Sequence, residues 1–165
     1  MKKKSIIFLI VVFCFTAAEV SFAGQTEENE ILTAADNLFV QMKNKDYKAI
    51  WESLTFKTKE IIISDVYKTS KKENIELKKE YLARDFSSNG PQAQAYWNSY
   101  LRVFDPVIVL EQCIWEMGEI GKKEAEVILK YKKSDNPAIL KMYKENNEWK
   151  VGLEESFGTR KINSF

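Results

Sequence analysis

Ala138-Ile139-Leu140-Lys141-Met142-Tyr143-Lys144-Glu145-Asn146-Asn147-Glu148-Trp149-Lys150-Val151 decides the fold. Ala138, Leu140 and Met142 alternate with polar or bulky neighbours, a four-residue polar turn follows, and Trp149 and Val151 resume the alternation. A period of two puts one set of side chains on one face of a strand. The spacing predicts a third strand over Ala138 to Lys144 and a fourth over Trp149 to Phe157, joined by Glu145-Asn146-Asn147-Glu148. Working back, Ser134-Asp135-Asn136-Pro137 is a turn. Before it, Glu124 to Lys133 alternates as a second strand with Ala125, Val127, Leu129 and Tyr131 on one face. Gly118 to Lys123 reads as a loop and Val107 to Met117 as the first strand. Short polar turns between alternating runs describe an antiparallel meander of about four strands with one buried face.

Before Pro106 the period is 3.6. Thr26 suits an N-cap, with Glu27, Glu28 and Glu30 in the first turn and Ile31, Ala35, Leu38, Phe39 and Met42 on one face, up to about Asn44. Asp46 caps a short second helix with Tyr47, Ile50, Trp51 and Leu54 inward. Thr55 caps a third segment to about Thr69, in which Ile61, Ile62 and Ile63 fit a helix or a buried strand. Residues 70–86 read as helical with Ile75, Leu82 and Phe86 facing in. Ser87 to Pro91 breaks the chain. Ala93, Tyr96, Trp97, Tyr100, Leu101 and Phe104 then mark a further helix, which Asp105-Pro106 stops. Helices first and strands last is the α+β order.

The N-terminus bounds location. Lys2, Lys3 and Lys4 precede 13 apolar and small residues, Ile6 to Ala18, and Ser21-Phe22-Ala23 is small at both positions that matter for a cut before Gly24. This is the pattern of a cleavable signal peptide over residues 1–23, with Ala18 as the alternative cut. An uncleaved anchor needs about 20 apolar residues, and a lipoprotein reading of Cys14 meets the bulk of Phe13. The expected mature domain is residues 24–165, periplasmic or secreted, touching the membrane only through its transient leader.

The chain carries 25 Lys+Arg, 24 Asp+Glu and no His. The leader holds three Lys and one Glu, so the remainder has 22 basic and 23 acidic residues, a net charge of −1. That excludes the clustered basic field that nucleic-acid binding requires. The lack of His excludes zinc sites built on Cys and His and nucleophile systems built on His, and no metal or other cofactor is expected. Cys113 alone remains after the leader, so no internal disulfide can form; its apolar neighbours predict a buried, inert thiol.

Two stretches resemble the NTF2-like superfamily, the cystatin-like α+β cone. One is the hairpin from Ala34-Ala35-Asp36-Asn37-Leu38-Phe39 through Asn44-Lys45-Asp46-Tyr47-Lys48-Ala49-Ile50-Trp51. The other is the polar turn followed by Trp149-Lys150-Val151. The resemblance implies helices packed into a curved antiparallel sheet. It implies no single activity, because that superfamily includes isomerases, cyclases, dehydratases and domains that only bind. The long helical stretch between residues 55 and 106 departs from its pattern.

Three sets of residues are candidates for function. Trp51, Tyr96, Trp97, Tyr100, Trp115 and Tyr131 can line an apolar pocket under the helices or simply form core. Glu155, Glu111 or Glu116 according to the phase of the first strand, and Asp36 are the carboxylates that an acid–base mechanism without His would draw on, with a Tyr or Trp donor. Lys130, Lys132, Lys141 and Lys150, beside Ile128, Ile139 and Tyr143, lie on the outward sheet face and make either a docking or dimer surface or a solvated mixed-charge face. The leading expectation is an exported, non-enzymatic domain that binds an apolar small molecule or an envelope protein through the helix-covered face of its sheet. A carboxylate-and-Tyr isomerase or cyclase and a structural dimerisation module are the alternatives.

Overall fold

The computed structural model describes the backbone of residues 17–158 and the side chains of residues 25–158. Most of the signal peptide expected over residues 1–23 therefore lies outside the described residues. Seven helices and four strands follow in order: α1 (Ala17–Asn44), α2 (Tyr47–Ser53), α3 (Phe56–Lys72), α4 (Lys79–Ser87), α5 (Pro91–Val103), α6 (Pro106–Gln112), β1 (Cys113–Ile120), β2 (Glu124–Tyr131), β3 (Ala138–Glu145), β4 (Glu148–Gly152) and α7 (Leu153–Phe157). The sheet is a four-stranded antiparallel meander in the order β1-β2-β3-β4. This is an α+β fold with its helices on the N-terminal side and its sheet on the C-terminal side.

The helix ends are set by local chemistry. Asp46 accepts from Ala49 N at 3.1 Å to cap α2, and Thr55 accepts from Thr58 N at 3.0 Å to cap α3. Helices α1, α3 and α4 each close in the same way, with a left-handed residue just past the helix: directly after α1, and one residue beyond the cap of α3 and α4. These residues are Lys45 (φ 56°), Asn74 (φ 58°) and Asn89 (φ 56°). In each, the next residue's N–H bonds back into the last turn: Asp46 to Gln41 O, Ile75 to Ser70 O and Gly90 to Asp85 O. This is the Schellman arrangement. The β3–β4 connection has Asn146 at φ 52° and Asn147 at φ 65°, the pair of left-handed residues that a two-residue hairpin turn needs.

The core lies between the helices and the inner sheet face. Ile31, Ala35, Leu38, Phe39 and Met42 of α1 meet Ala125, Val127, Leu129, Leu140, Met142 and Val151 of the sheet, all buried. Burying a side chain of the Leu or Phe class contributes about 1.5–3 kcal/mol. The outer edge of β4 is closed by a parallel bridge from Leu54 to Val151, with Thr55 N donating to Val151 O at 3.0 Å.

Several sequence expectations are corrected. Helix α1 runs on from Ala17, so Thr26 is an interior residue and no cap. No Pro interrupts Ala17–Asn44, and Gly24 costs a helix only about 1 kcal/mol relative to Ala. The three isoleucines belong to a helix, with Ile62 and Ile63 buried. Ile75 is 49% exposed, because α3 has already ended and Asn74 turns the chain outward. The first strand does not start at Val107. Asp105 accepts from Val107 N at 2.9 Å, Pro106 takes the first helical position, and a seven-residue helix precedes β1. β1 then continues through Gly118 to Ile120 over a bulge, so the loop is shorter than expected. β2 ends at Tyr131 rather than Lys133. β4 stops at Gly152, and Leu153–Phe157 is a helical turn rather than strand.

Candidate functional site

Five of the six aromatic candidates meet in one chain of rings. Trp51 of α2 lies 4.9 Å from Phe86, Phe86 lies 5.6 Å from Tyr96, and Tyr96 lies 5.0 Å from Trp97, as ring-centroid distances. Tyr100 follows at 5.6 Å from Trp97, then Phe104, Phe39 and Trp115. Trp51, Tyr96, Trp97 and Tyr100 are buried, and Trp115 is half-buried with its Nε1 donating to Val109 O at 3.0 Å. Tyr131, half-buried at the end of β2, stands apart. Edge-on and offset contacts of this kind contribute about 0.5–1.5 kcal/mol per pair beyond burial. The rings spend their surfaces on one another.

The carboxylate candidates separate into surface and interior. Asp36 is exposed, Glu111 pairs with Lys43 at 3.1 Å, and Glu116 pairs with Lys130 at 2.6 Å on the sheet surface. Glu155 is half-buried. Its Oε1 accepts from Thr55 Oγ1 at 2.9 Å and its Oε2 accepts from Thr58 Oγ1 at 2.5 Å. Glu154 beside it is buried, and its N–H donates to Thr58 Oγ1 at 3.2 Å. Tyr96 feels the charges of Glu154 and Asp65. Burial first, then Glu154, Tyr100 and Asp65, hold its hydroxyl well above the ordinary tyrosine range. That keeps it a neutral donor in the interior. A strand period over Leu153–Phe157 points Glu155 inward and Glu154 to the outward face or its edge; the helical turn buries Glu154 instead.

Two surface concavities flank this core, and neither is lined by any of the six aromatics. The first, about 480 Å³, is lined by Lys45 at the α1–α2 turn and by Ala95, Asn98, Ser99, Leu101 and Arg102 of α5. The second, about 370 Å³, lies between α1 and the β3–β4 turn, with Asn37, Gln41, Ser53, Glu148, Trp149 and Lys150 among its walls. Its polar groups are largely committed: Ser53 donates to Gln41 at 2.7 Å, and Lys150 meets Glu148 at 2.7 Å and Glu52 O at 3.0 Å. Trp149 Nε1 is buried there with no hydrogen-bond partner among the described residues.

The outward sheet face carries the lysine candidates. Ile128 is paired directly with Ile139, and Ile114 is its diagonal neighbour on β1. Ile114 is 53% and Ile139 42% exposed. Glu116 with Lys130 and Glu126 opposite Lys141 border this row. Lys132 lies beyond the end of β2. Tyr143 folds over Gly152, where a Cβ would stand 2.7 Å from its ring. Cys113 is free and half-buried rather than fully buried, and burial pushes its thiol above the usual range, away from the reactive thiolate.

Among the described residues no group of acidic or Cys side chains is placed to hold a metal ion, and no helix is long and apolar enough to cross a membrane. No protein-family model, no curated protein and no solved structure matches the chain.

Proposed function

We propose that the chain is an exported binding domain that engages a protein through the outward face of its sheet. The observation that carries this reading is the row of exposed Ile114 and Ile139 with half-buried Ile128 between them, on the sheet face opposite the one packed against helices. Isolated exposed isoleucines need no explanation, but a contiguous row rimmed by charge is the pattern of an interaction surface. Glu116, Glu124, Glu126, Glu145 and Glu148 share this face or its edge with Lys130, Lys141 and Lys150. A face that carries both signs around an apolar row can pair with itself across a two-fold axis, and the occupant this reading commits to is a second copy of this chain.

Export rests on the lysines and apolar run of residues 1–23, and an NTF2-like relationship rests on the helices-then-meander order. The apolar-ligand alternative requires α5 to separate from α2 and α4, breaking the Trp51–Phe86–Tyr96 ring contacts. The carboxylate-and-Tyr alternative has the nearness of Tyr96 to Glu154 in its favour, and it requires the same opening to admit a substrate. Sedimentation velocity across a wide concentration range tests the main reading. Self-association that Ile128→Glu or Ile139→Glu abolishes without loss of fold is the expected result. A chain that stays monomeric throughout removes the second-copy occupant. Export is tested separately, by N-terminal sequencing of protein from the envelope fraction.

A further inference from the structure

The concavity beside α5 has an unusual lining. Of its side chains that can hydrogen-bond, Lys45 and Arg102 are cations, Asn98 is an amide and Ser99 is a hydroxyl; no carboxylate lines it. Neither Lys45 nor Arg102 forms an ion pair among the described residues. Two further contacts set the polarity of the neutral groups. Tyr47 Oη donates to Asn98 Oδ1 at 2.5 Å, which sets the amide's orientation and leaves Nδ2 free to donate. Burial holds the Tyr47 hydroxyl above its usual range, so it stays a donor. Arg102 Nη2 donates to Ser99 Oγ at 2.8 Å, which fixes the guanidinium and leaves the hydroxyl proton for another acceptor. The lining therefore offers the Asn98 amide N–H, the Ser99 hydroxyl and two positive charges, and no negative charge.

Lys45 adds an independent observation. Five residues other than glycine have a positive φ in the described chain, and four of them are asparagine. Asparagine tolerates this region, whereas a lysine there is strained by its Cβ. The two other helix ends of the same form, at α3 and α4, use Asn74 and Asn89. Only the turn that borders the cationic concavity places a long ammonium side chain in the strained position. Backbone strain kept at a site is a pointer to function.

We infer that Lys45, Asn98, Ser99 and Arg102 form a binding site for a small molecule carrying an oxyanion, a carboxylate or a phosphate. Arg102 supplies a planar fork, Lys45 a mobile point charge from the facing turn, and Asn98 and Ser99 the neutral donors that fix orientation. This site is on a different surface from the sheet face, and it stands or falls independently of that reading.

The test is titration of the purified protein with inorganic phosphate and, separately, with succinate, followed by NMR, with sodium chloride at matched ionic strength as the reference. Saturable shifts of the Asn98 side-chain amide and the Arg102 guanidinium are expected, and the tighter of the two probes identifies the oxyanion. Arg102→Gln should weaken binding roughly tenfold or more. Lys45→Gly separates charge from backbone: it should raise the melting temperature by relieving the strain while weakening binding. Shifts no larger than those with chloride overturn the site, as does binding that both substitutions leave unchanged.

Discussion

Asp85, in the last turn of α4, accepts a hydrogen bond from Ala93 N in the first turn of α5 at 2.8 Å. The N-cap residue of α5 is Gly90, which has no side chain to cap with, and Asp85 supplies the missing acceptor from the neighbouring helix. A carboxylate at a helix N-terminus also complements the helix dipole. Gly90 sits at φ −73°, open to any residue, so its role is spatial: a Cβ there would stand 2.2 Å from Asp85 Oδ2. Gly90→Ala must therefore displace the carboxylate from Ala93. It should destabilise the fold by about 1–3 kcal/mol, and Asp85→Ala by about 0.5–2 kcal/mol. Urea denaturation measures both. The double variant should lose less than the sum of the two, because both substitutions remove one contact.

The α3–α7 junction depends on one hydroxyl. Thr58 Oγ1 donates to Glu155 Oε2 and accepts from Glu154 N. Thr58→Val keeps the shape and removes both bonds, leaving a buried N–H without its acceptor. The expected loss is about 1–3 kcal/mol, with faster hydrogen exchange at the Glu154 amide. Thr58→Ser retains the hydroxyl and should lose only about 0.8 kcal/mol for its missing methyl. Equal losses for Val and Ser would mean that packing, not the hydroxyl, holds α7.

Stability should fall as the pH rises through 10. Burial raises the hydroxyls of Tyr47, Tyr96 and Tyr143 above the ordinary value of 10.0, Tyr96 the most. Above that value the unfolded chain releases these protons while the folded chain retains them, so unfolding is favoured progressively with pH. Lys59 acts oppositely. Burial and then Lys150 lower its ammonium below 10.5, so its contribution rises with pH just below that value. Tyr96, buried and raised well above its ordinary value, is the group to test. Tyr96→Phe should flatten the alkaline decline in melting temperature, and an unchanged decline would assign it to other groups.

What the sequence revealed follows from where its signals are local. The β3–β4 stretch is legible because alternation and a polar turn sit within a few residues, and Asn146 and Asn147 adopt the φ values such a turn needs. Asp46 and Thr55 are legible as caps for the same reason. Ile75 is not, because Asn74 ends α3 through its backbone, and an isoleucine at helical spacing carries no record of that. Glu155 is legible as an inward carboxylate, but Glu154 is not, because Leu153 and Phe157 fit a strand period as well as a helical turn, and a strand turns Glu154 outward. Contacts with Thr55 and Thr58, nearly a hundred residues away, accompany the helical form. The aromatic candidates were readable as apolar, but whether rings line a pocket or fill a core depends on how closely α2, α4 and α5 approach. The cationic concavity had one local sign: Ala95, Asn98, Ser99 and Arg102 share the side of α5 away from Tyr96, Trp97 and Tyr100. Lys45, which completes it, comes from a turn some fifty residues earlier.

The junction at Asp105-Pro106 shows how one signal acts in two directions. The pair ends α5, since the residue before proline is pushed from the helical region. It also starts α6, with Asp105 as cap and Pro106 at the first position, where a missing N–H costs nothing. Val107, Ile108 and Val109 prefer strands, and their helical form is held by that cap, by packing of α6 on α1 and by the Trp115 Nε1 bond to Val109 O. Asp105→Ala should remove about 0.5–2 kcal/mol, with hydrogen exchange rising first at Val109 to Gln112 while the β2–β3 amides stay protected. Trp115→Phe leaves the Val109 carbonyl without its indole donor and should produce the same local pattern. If either substitution instead opens the β2–β3 amides in step with α6, the helix is not a separate unit but part of the cooperative core.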